Sequence, residues 1–252
     1  MPGLFQLNIA MSDPALPAVA AENLSQVILA AAAPDQNAQP VYTHRAPKSP
    51  DPALPNVLLL GDSISIGYEP FVTQALKGKA NVYRIMGSED LTVRVQGGLR
   101  LSTDSALKHL DGWLGDVKFS VIHFNWGLHD VKQQGEGKGT HQVELEEYKT
   151  NLQALVTRLK ATGAKLIWAS TTPVPRGADK GPIGRKAGDE IPYNEAAKAI
   201  MEKEGIPVDD LHGLVAPRLS ETQRTANVHF TDAGSKLLGD EVARHIEKEL
   251  SR

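Results

Sequence analysis

The chain has 252 residues, with 27 basic and 30 acidic side chains and a formal net charge of −3. That balance offers no basic excess for nucleic-acid binding, and no basic amphipathic stretch suggests a membrane surface. The absence of cysteine excludes disulfide scaffolds, zinc–thiolate sites and cysteine nucleophiles. The eight histidines are scattered, without the close pairing of a helical metal site.

Residues 1–55 are rich in Ala and Pro and carry few charges. Their apolar run, "NLSQVILAAAA", is too short to span a bilayer. It has the look of a signal-peptide core, yet no Lys or Arg precedes it. The segment reads as an N-terminal arm or an export segment, which leaves an extracytoplasmic and a cytoplasmic location both open. It closes on an extended Pro-rich tether, "QPVYTHRAPKSPDPALP".

A domain is expected over 56–252. Val57–Leu60 is a short apolar run bounded by Pro55 and Gly61, as in a strand buried on both faces. The pattern then predicts a helix over Pro70–Leu76, a strand over Ala80–Met86, a helix over Thr103–Leu114 and a strand over Phe119–Phe124. A long helix follows over His141–Ala161, with Tyr148, Leu152, Leu155, Val156 and Leu159 on one face. Lys165–Ser170 is the next strand, and a Gly/Pro/charge loop runs from Pro173 to about Glu190. Tyr193–Glu204 reads as a helix, Ile206–Val208 as a short strand, and Asp232–Leu250 as a closing helix capped by Thr231. Strands alternating with helices predict a three-layer α/β/α domain around a mostly parallel sheet. Sites in such sheets lie outside the carboxyl ends of the strands. Gly61–Ser63, Asn125–Asp130 and Thr171–Pro175 all fall there.

Ser63 ends the first strand in "VLLLGDSISIG". A serine hydroxyl becomes a nucleophile when a nearby base takes its proton and donors hold the oxyanion. It can equally serve as a helix cap. The Gly-x-Ser-x-Gly elbow is absent, since Ser65 stands at the second glycine. His229, in "NVHFTDAGSKLL", precedes the last helix and could reach back over the sheet edge. By itself it reads more readily as a solvated loop histidine.

Read together, "GDSIS", "VQGGLRLST", "GLHD" and the block around His229 make the chain similar to the SGNH, or GDSL-type, hydrolases. The resemblance spans roughly Asn56 to Leu250. It implies a flavodoxin-like fold and ester hydrolysis by Ser63, with His229 as general base and no cofactor or metal. It places oxyanion donors at Gly98, or less readily Gly97, and at His129, which stands where the family has asparagine. A neutral histidine still donates one N–H. Asn125, two residues before Gly127, offers a second amide at the same strand end. The family aspartate three residues before the histidine is replaced by Ala226. Asn227, a backbone carbonyl, Asp62, Asp130 or a more distant carboxylate could orient His229 instead. The resemblance implies small acyl groups, above all acetyl esters on carbohydrates. A lysophospholipase or thioesterase, a non-catalytic carbohydrate-binding relative and an acyltransferase are the competing readings. Arg176, Lys180, Arg185 and Lys186 could bind an acidic or sugar substrate, or simply form a solvated loop.

Overall fold

The computed structural model describes residues 43–85, 101–134, 140–179 and 184–252. The chain divides into two units, Met1–Gln39 and Pro40–Arg252, and every described residue lies in the second. The strands are β1 (His44–Arg45), β2 (Asn56–Leu60), β3 (Asn81–Ile85), β4 (Val121–Phe124), β5 (Gln133–Gln134), β6 (Thr140–His141), β7 (Lys165–Ala169) and β8 (Val208–Asp209). The helices are α1 (Ser63–Ala75), α2 (Thr103–Leu114), α3 (Leu145–Ala161), α4 (Glu190–Glu204), α5 (Leu211–Val215), α6 (Leu219–Thr222) and α7 (Asp232–Leu250). No described helix is long and apolar enough to cross a membrane.

The main sheet runs β1-β3-β2-β4-β7-β8. Only β1 is antiparallel; the other neighbours pair in parallel. The parallel strands therefore follow the flavodoxin-like order, in which the first strand lies inside the second and the winding reverses between β2 and β4. That reversal opens a crevice at the carboxyl ends of β2 and β4. Val57–Leu60 and Val121–Phe124 are at most 1% exposed or nearly so, as expected of strands covered on both faces. Helix α1 packs on α7, while α2, α3 and α4 pack in a row, giving the expected helical layers.

The elements differ from the sequence expectations in instructive places. Helix α1 starts at Ser63, seven residues before the expected Pro70. Pro70 lies inside it, and the buried Ile64, Tyr68 and Val72 hold the helix on both sides of the lost hydrogen bond. The close approach of α1 to α7 requires Gly239, where a Cβ would sit 2.6 Å from the Cβ of Phe71. Helix α3 starts at Leu145 because His141 is held in the β5–β6 ladder. The last strand is Val208–Asp209, and Leu211–Thr222 adds short helices that lack a long apolar period. Met86 lies outside the described residues.

The end of the expected tether packs on the domain. His44 places Nδ1 2.7 Å from the carbonyl of Trp113 and stands edge-on to Tyr83 and Phe119. Asn81 donates to the carbonyl of Asp51 and accepts from its N–H.

Candidate active site

Strand β2 delivers the chain to Gly61 and Asp62 at the crevice. Asp62 is the N-cap of α1, its carboxylate accepting the N–H of Ile64 at 2.9 Å. Ser63 is therefore the first residue of the helix and not its cap. Its backbone N–H is one of the orphan donors of the first turn, at the positive end of the helix dipole.

His229 comes from the turn before α7. That turn is closed by Arg224 N–H donating to the His229 carbonyl at 2.9 Å. The side-chain oxygen of Asn227 accepts twice, from the His229 N–H at 2.9 Å and from ring Nδ1 at 2.7 Å. A proton on Nδ1 leaves Nε2 as the lone-pair nitrogen. Nε2 lies 2.8 Å from Ser63 Oγ. So the structure brings Ser63, His229 and Asn227 into one line, with Asn227 exposed and His229 half-buried. Ala226 sits at φ 52°, the only non-glycine residue at positive φ among the described residues.

The carboxylates considered as orienters are engaged elsewhere. Asp130 is fully buried and holds the start of α2, accepting Thr103 N–H at 2.9 Å and Thr103 Oγ–H at 2.6 Å. Burial pushes its carboxyl up to about 7, partly opposed by those hydrogen bonds. Asp62 bears on His229 through its charge. Burial raises its carboxyl, against the Ile64 N–H and the charges of Arg185, His229 and Lys132.

His129 reaches the same edge from the turn after β4. Its Nδ1 accepts from Leu101 N–H at 3.2 Å and faces Lys132 Nζ at 2.9 Å. Two donors on one nitrogen place the neutral ring's proton on Nε2. Burial, then the charges of Lys132, Arg185 and His229, hold its pKa well below the usual histidine range, so the ring is a neutral donor at pH 7. Gly127 permits the tight turn before it: a Cβ there would lie 2.1 Å from Thr171 Oγ1.

Asn125 does not keep the role considered for it. Its amide nitrogen donates to the Ala169 carbonyl at 2.7 Å and to Thr171 Oγ1 at 3.3 Å, so both hydrogens tie β4 to the end of β7. Gly97, Gly98 and Lys180 lie outside the described residues. Arg176 and Lys186 are exposed, whereas Arg185 is buried, with Nε donating to the Leu128 carbonyl. Nothing in the local pattern distinguishes Arg185 from its loop neighbours.

A cavity of about 220 Å³ opens beside Ser63 and His229, lined also by Ile64, Ile66, Arg224 and Phe230. Among the described residues, Asp209, Glu241 and His245 bring metal-ligand atoms within 4.8 Å of one another. Arg244 already grips Glu241 and lies 2.8 Å from His245 Nε2, so a cation there would meet a guanidinium.

A sequence profile of the GDSL-like lipase/acylhydrolase family matches residues 59–237. No curated protein sequence matches significantly. Among solved structures, the lipase/acylhydrolase from Enterococcus faecalis is similar at TM-score 0.62 and 17% identity, over 77% of this chain and 96% of that one. The acetylxylan esterase Axe2 from Geobacillus stearothermophilus gives 0.57 and 18%, over 79% and 94%. The acetyl xylan esterase AlAXEase gives 0.58 and 14%, over 76% and 99%. At these identities the neighbours establish the fold, and the profile, which spans most of the chain, establishes the lineage. The chain belongs to the GDSL-like lipase/acylhydrolase family and is a carboxylic ester hydrolase of that kind.

Proposed function

We propose that the enzyme removes small acyl groups, acetyl above all, from carbohydrate esters, with Ser63 as nucleophile and His229 as general base. The observation that carries this is the 2.8 Å contact between Ser63 Oγ and His229 Nε2, with Nδ1 held by Asn227. As Oγ attacks the carbonyl carbon, its proton passes to Nε2. The carbonyl oxygen becomes an oxyanion, facing the Ser63 N–H and the Nε2–H of neutral His129. The family's glycine donor would be Gly98. His229 then gives its proton to the leaving alcohol, and an acyl-serine remains. Water is deprotonated by His229 in turn, attacks the acyl carbon, and releases the acid and Ser63.

Two features support a small acyl group. The cavity of about 220 Å³ beside Ser63 is below the range of roughly 300–1,000 Å³ usual for drug-sized ligands. It mixes Ile64, Ile66 and Phe230 with Arg224 and Asp232, which suits a polar acyl carrier better than a long alkyl chain. Two structural neighbours are acetylxylan esterases by name, in keeping with a carbohydrate ester.

The test is turnover of 4-nitrophenyl esters of increasing chain length and of acetylated oligosaccharides. Acetate should exceed octanoate, and Ser63→Ala should fold normally and lose about a thousandfold or more. A Ser63→Ala protein retaining a tenth of the rate, or a preference for octanoate, would overturn the assignment.

A further inference from the structure

Arg185 is held against the turn that carries His129 in a way that ester hydrolysis alone does not require. The peptide unit before it is held at both ends: Arg185 N–H donates to the Ala178 carbonyl at 3.1 Å, and the Gly184 carbonyl accepts Gln133 N–H at 2.9 Å. Its Nε donates to the carbonyl of Leu128, directly before His129. The residue is only 9% exposed. Among the described residues no carboxylate lies within ion-pairing distance of the guanidinium, and its terminal nitrogens donate to no one. Its charge nevertheless bears on Asp62, beside Ser63, and on His129.

A clasp on the Leu128 carbonyl needs one donor. A guanidinium supplies it through Nε and keeps an outer edge of parallel N–H groups, the fork that matches a carboxylate. The Lys132 ammonium lies 2.9 Å from His129 Nδ1. Both charges bear on Asp62 and on His129.

We propose that Arg185 is a specificity residue that binds a carboxylate carried by the ester substrate, with Lys132 adding to the field. This rests on the esterase reading above and narrows its substrate class to anionic esters. The carboxylate can belong to the alcohol, as in a uronic acid, or to the acyl group, as in a half-ester of a dicarboxylic acid. Both present the same planar anion to the fork.

The experiment reads binding separately from turnover. The Ser63→Ala protein is titrated at low salt with two isosteric pairs. One is an O-acetylated methyl glucuronoside against its neutral carboxamide; the other is monomethyl succinate against methyl succinamate. The carboxylate member of at least one pair should bind at least tenfold more tightly, and the pair that responds identifies the half of the ester. The advantage should shrink with added salt, vanish in Arg185→Gln and survive in part in Arg185→Lys. Equal or equally undetectable affinities within both pairs would overturn the proposal, and so would an Arg185→Gln protein that weakens both members alike. The comparison within each pair on the parent protein decides the matter even if the Arg185 variants fold poorly. The esterase reading is checked apart, by 4-nitrophenyl acetate hydrolysis in the native and Ser63→Ala proteins. Equal rates there would sink that reading and leave the binding result standing.

Discussion

The Oδ1 of Asn227 stands 2.7 Å from Nδ1 of His229, in the place where a carboxylate would commonly hold a catalytic imidazole. It fixes the tautomer as well as a carboxylate does, but brings no charge to the imidazolium that forms during attack. Asn227→Ala should therefore lower kcat by roughly a hundredfold, the lower end of what a positioned general base contributes. Asn227→Asp should keep the geometry and raise kcat. It should also move the acid limb of the pH–rate profile to higher pH, since a neighbouring carboxylate favours the protonated ring. An Asn227→Ala protein with an unchanged profile would remove Asn227 from the mechanism.

Ala226 tests the same turn by another route. Its φ of 52° lies where Gly, Asn and Asp are at ease and alanine is strained. Ala226→Gly should stabilise the fold by about 1 kcal/mol in denaturant unfolding and leave kcat alone. Ala226→Asp should gain stability too, and in addition raise kcat if the new carboxylate shares His229 with Asn227. A lower kcat from Ala226→Asp with folding preserved would mean that the added side chain crowds a complete arrangement.

For His129 the decisive comparison is between asparagine and alanine. His129→Asn supplies an amide N–H in place of Nε2–H and should keep most activity. His129→Ala should cost roughly 2.7–4 kcal/mol of transition-state stabilisation, the usual effect of losing an oxyanion donor. Kinetics of both variants on an acetyl ester check this. Similar, mild losses would hand the oxyanion to backbone donors.

What the sequence disclosed of this site follows from where its information lies. Ser63 and His229 stand in contiguous blocks at strand or helix ends, so the 3.6 and 2.0 periodicities around them already place them at one edge. Asn227 was one of several possible orienters, because its bond to His229 depends on a turn conformation that no local pattern encodes. Asn125 was given the wrong role, and Arg185 was not told apart from its loop neighbours, for the opposite reason. Their roles depend on partners far along the chain, Ala169 and Leu128, which only the packed fold brings near. The same holds for His44, whose carbonyl partner is Trp113. A Pro-rich composition reads as tether until that long-range contact is seen. Helix α1 was read short because Pro70 is commonly a first-turn residue, and burial of Tyr68 and Val72 overrides that preference.

Asp130 makes the fold's stability depend on pH in a predictable direction. It is fully buried, Oδ1 holds Thr103, and Oδ2 has no hydrogen-bond partner among the described residues. Burial raises its carboxyl from 3.8 to about 7. Between those values the folded protein holds a proton that the unfolded chain has lost, so this residue's contribution is full at low pH and declines as pH rises to about 7. Beyond that both states are ionised and the penalty stays constant. Asp130→Asn keeps an acceptor for Thr103 and cannot ionise. Its amide nitrogen would take the place of Oδ2 and lack a partner there, a cost that is the same at every pH. The informative quantity is therefore the slope. Urea unfolding from pH 4 to pH 8 should show the stability of Asp130→Asn gaining on the native protein by a few kcal/mol across that range, with the gain complete slightly above pH 7. Parallel curves for the two proteins would show that Asp130 is already ionised throughout, and that Thr103 and its surroundings stabilise the buried carboxylate.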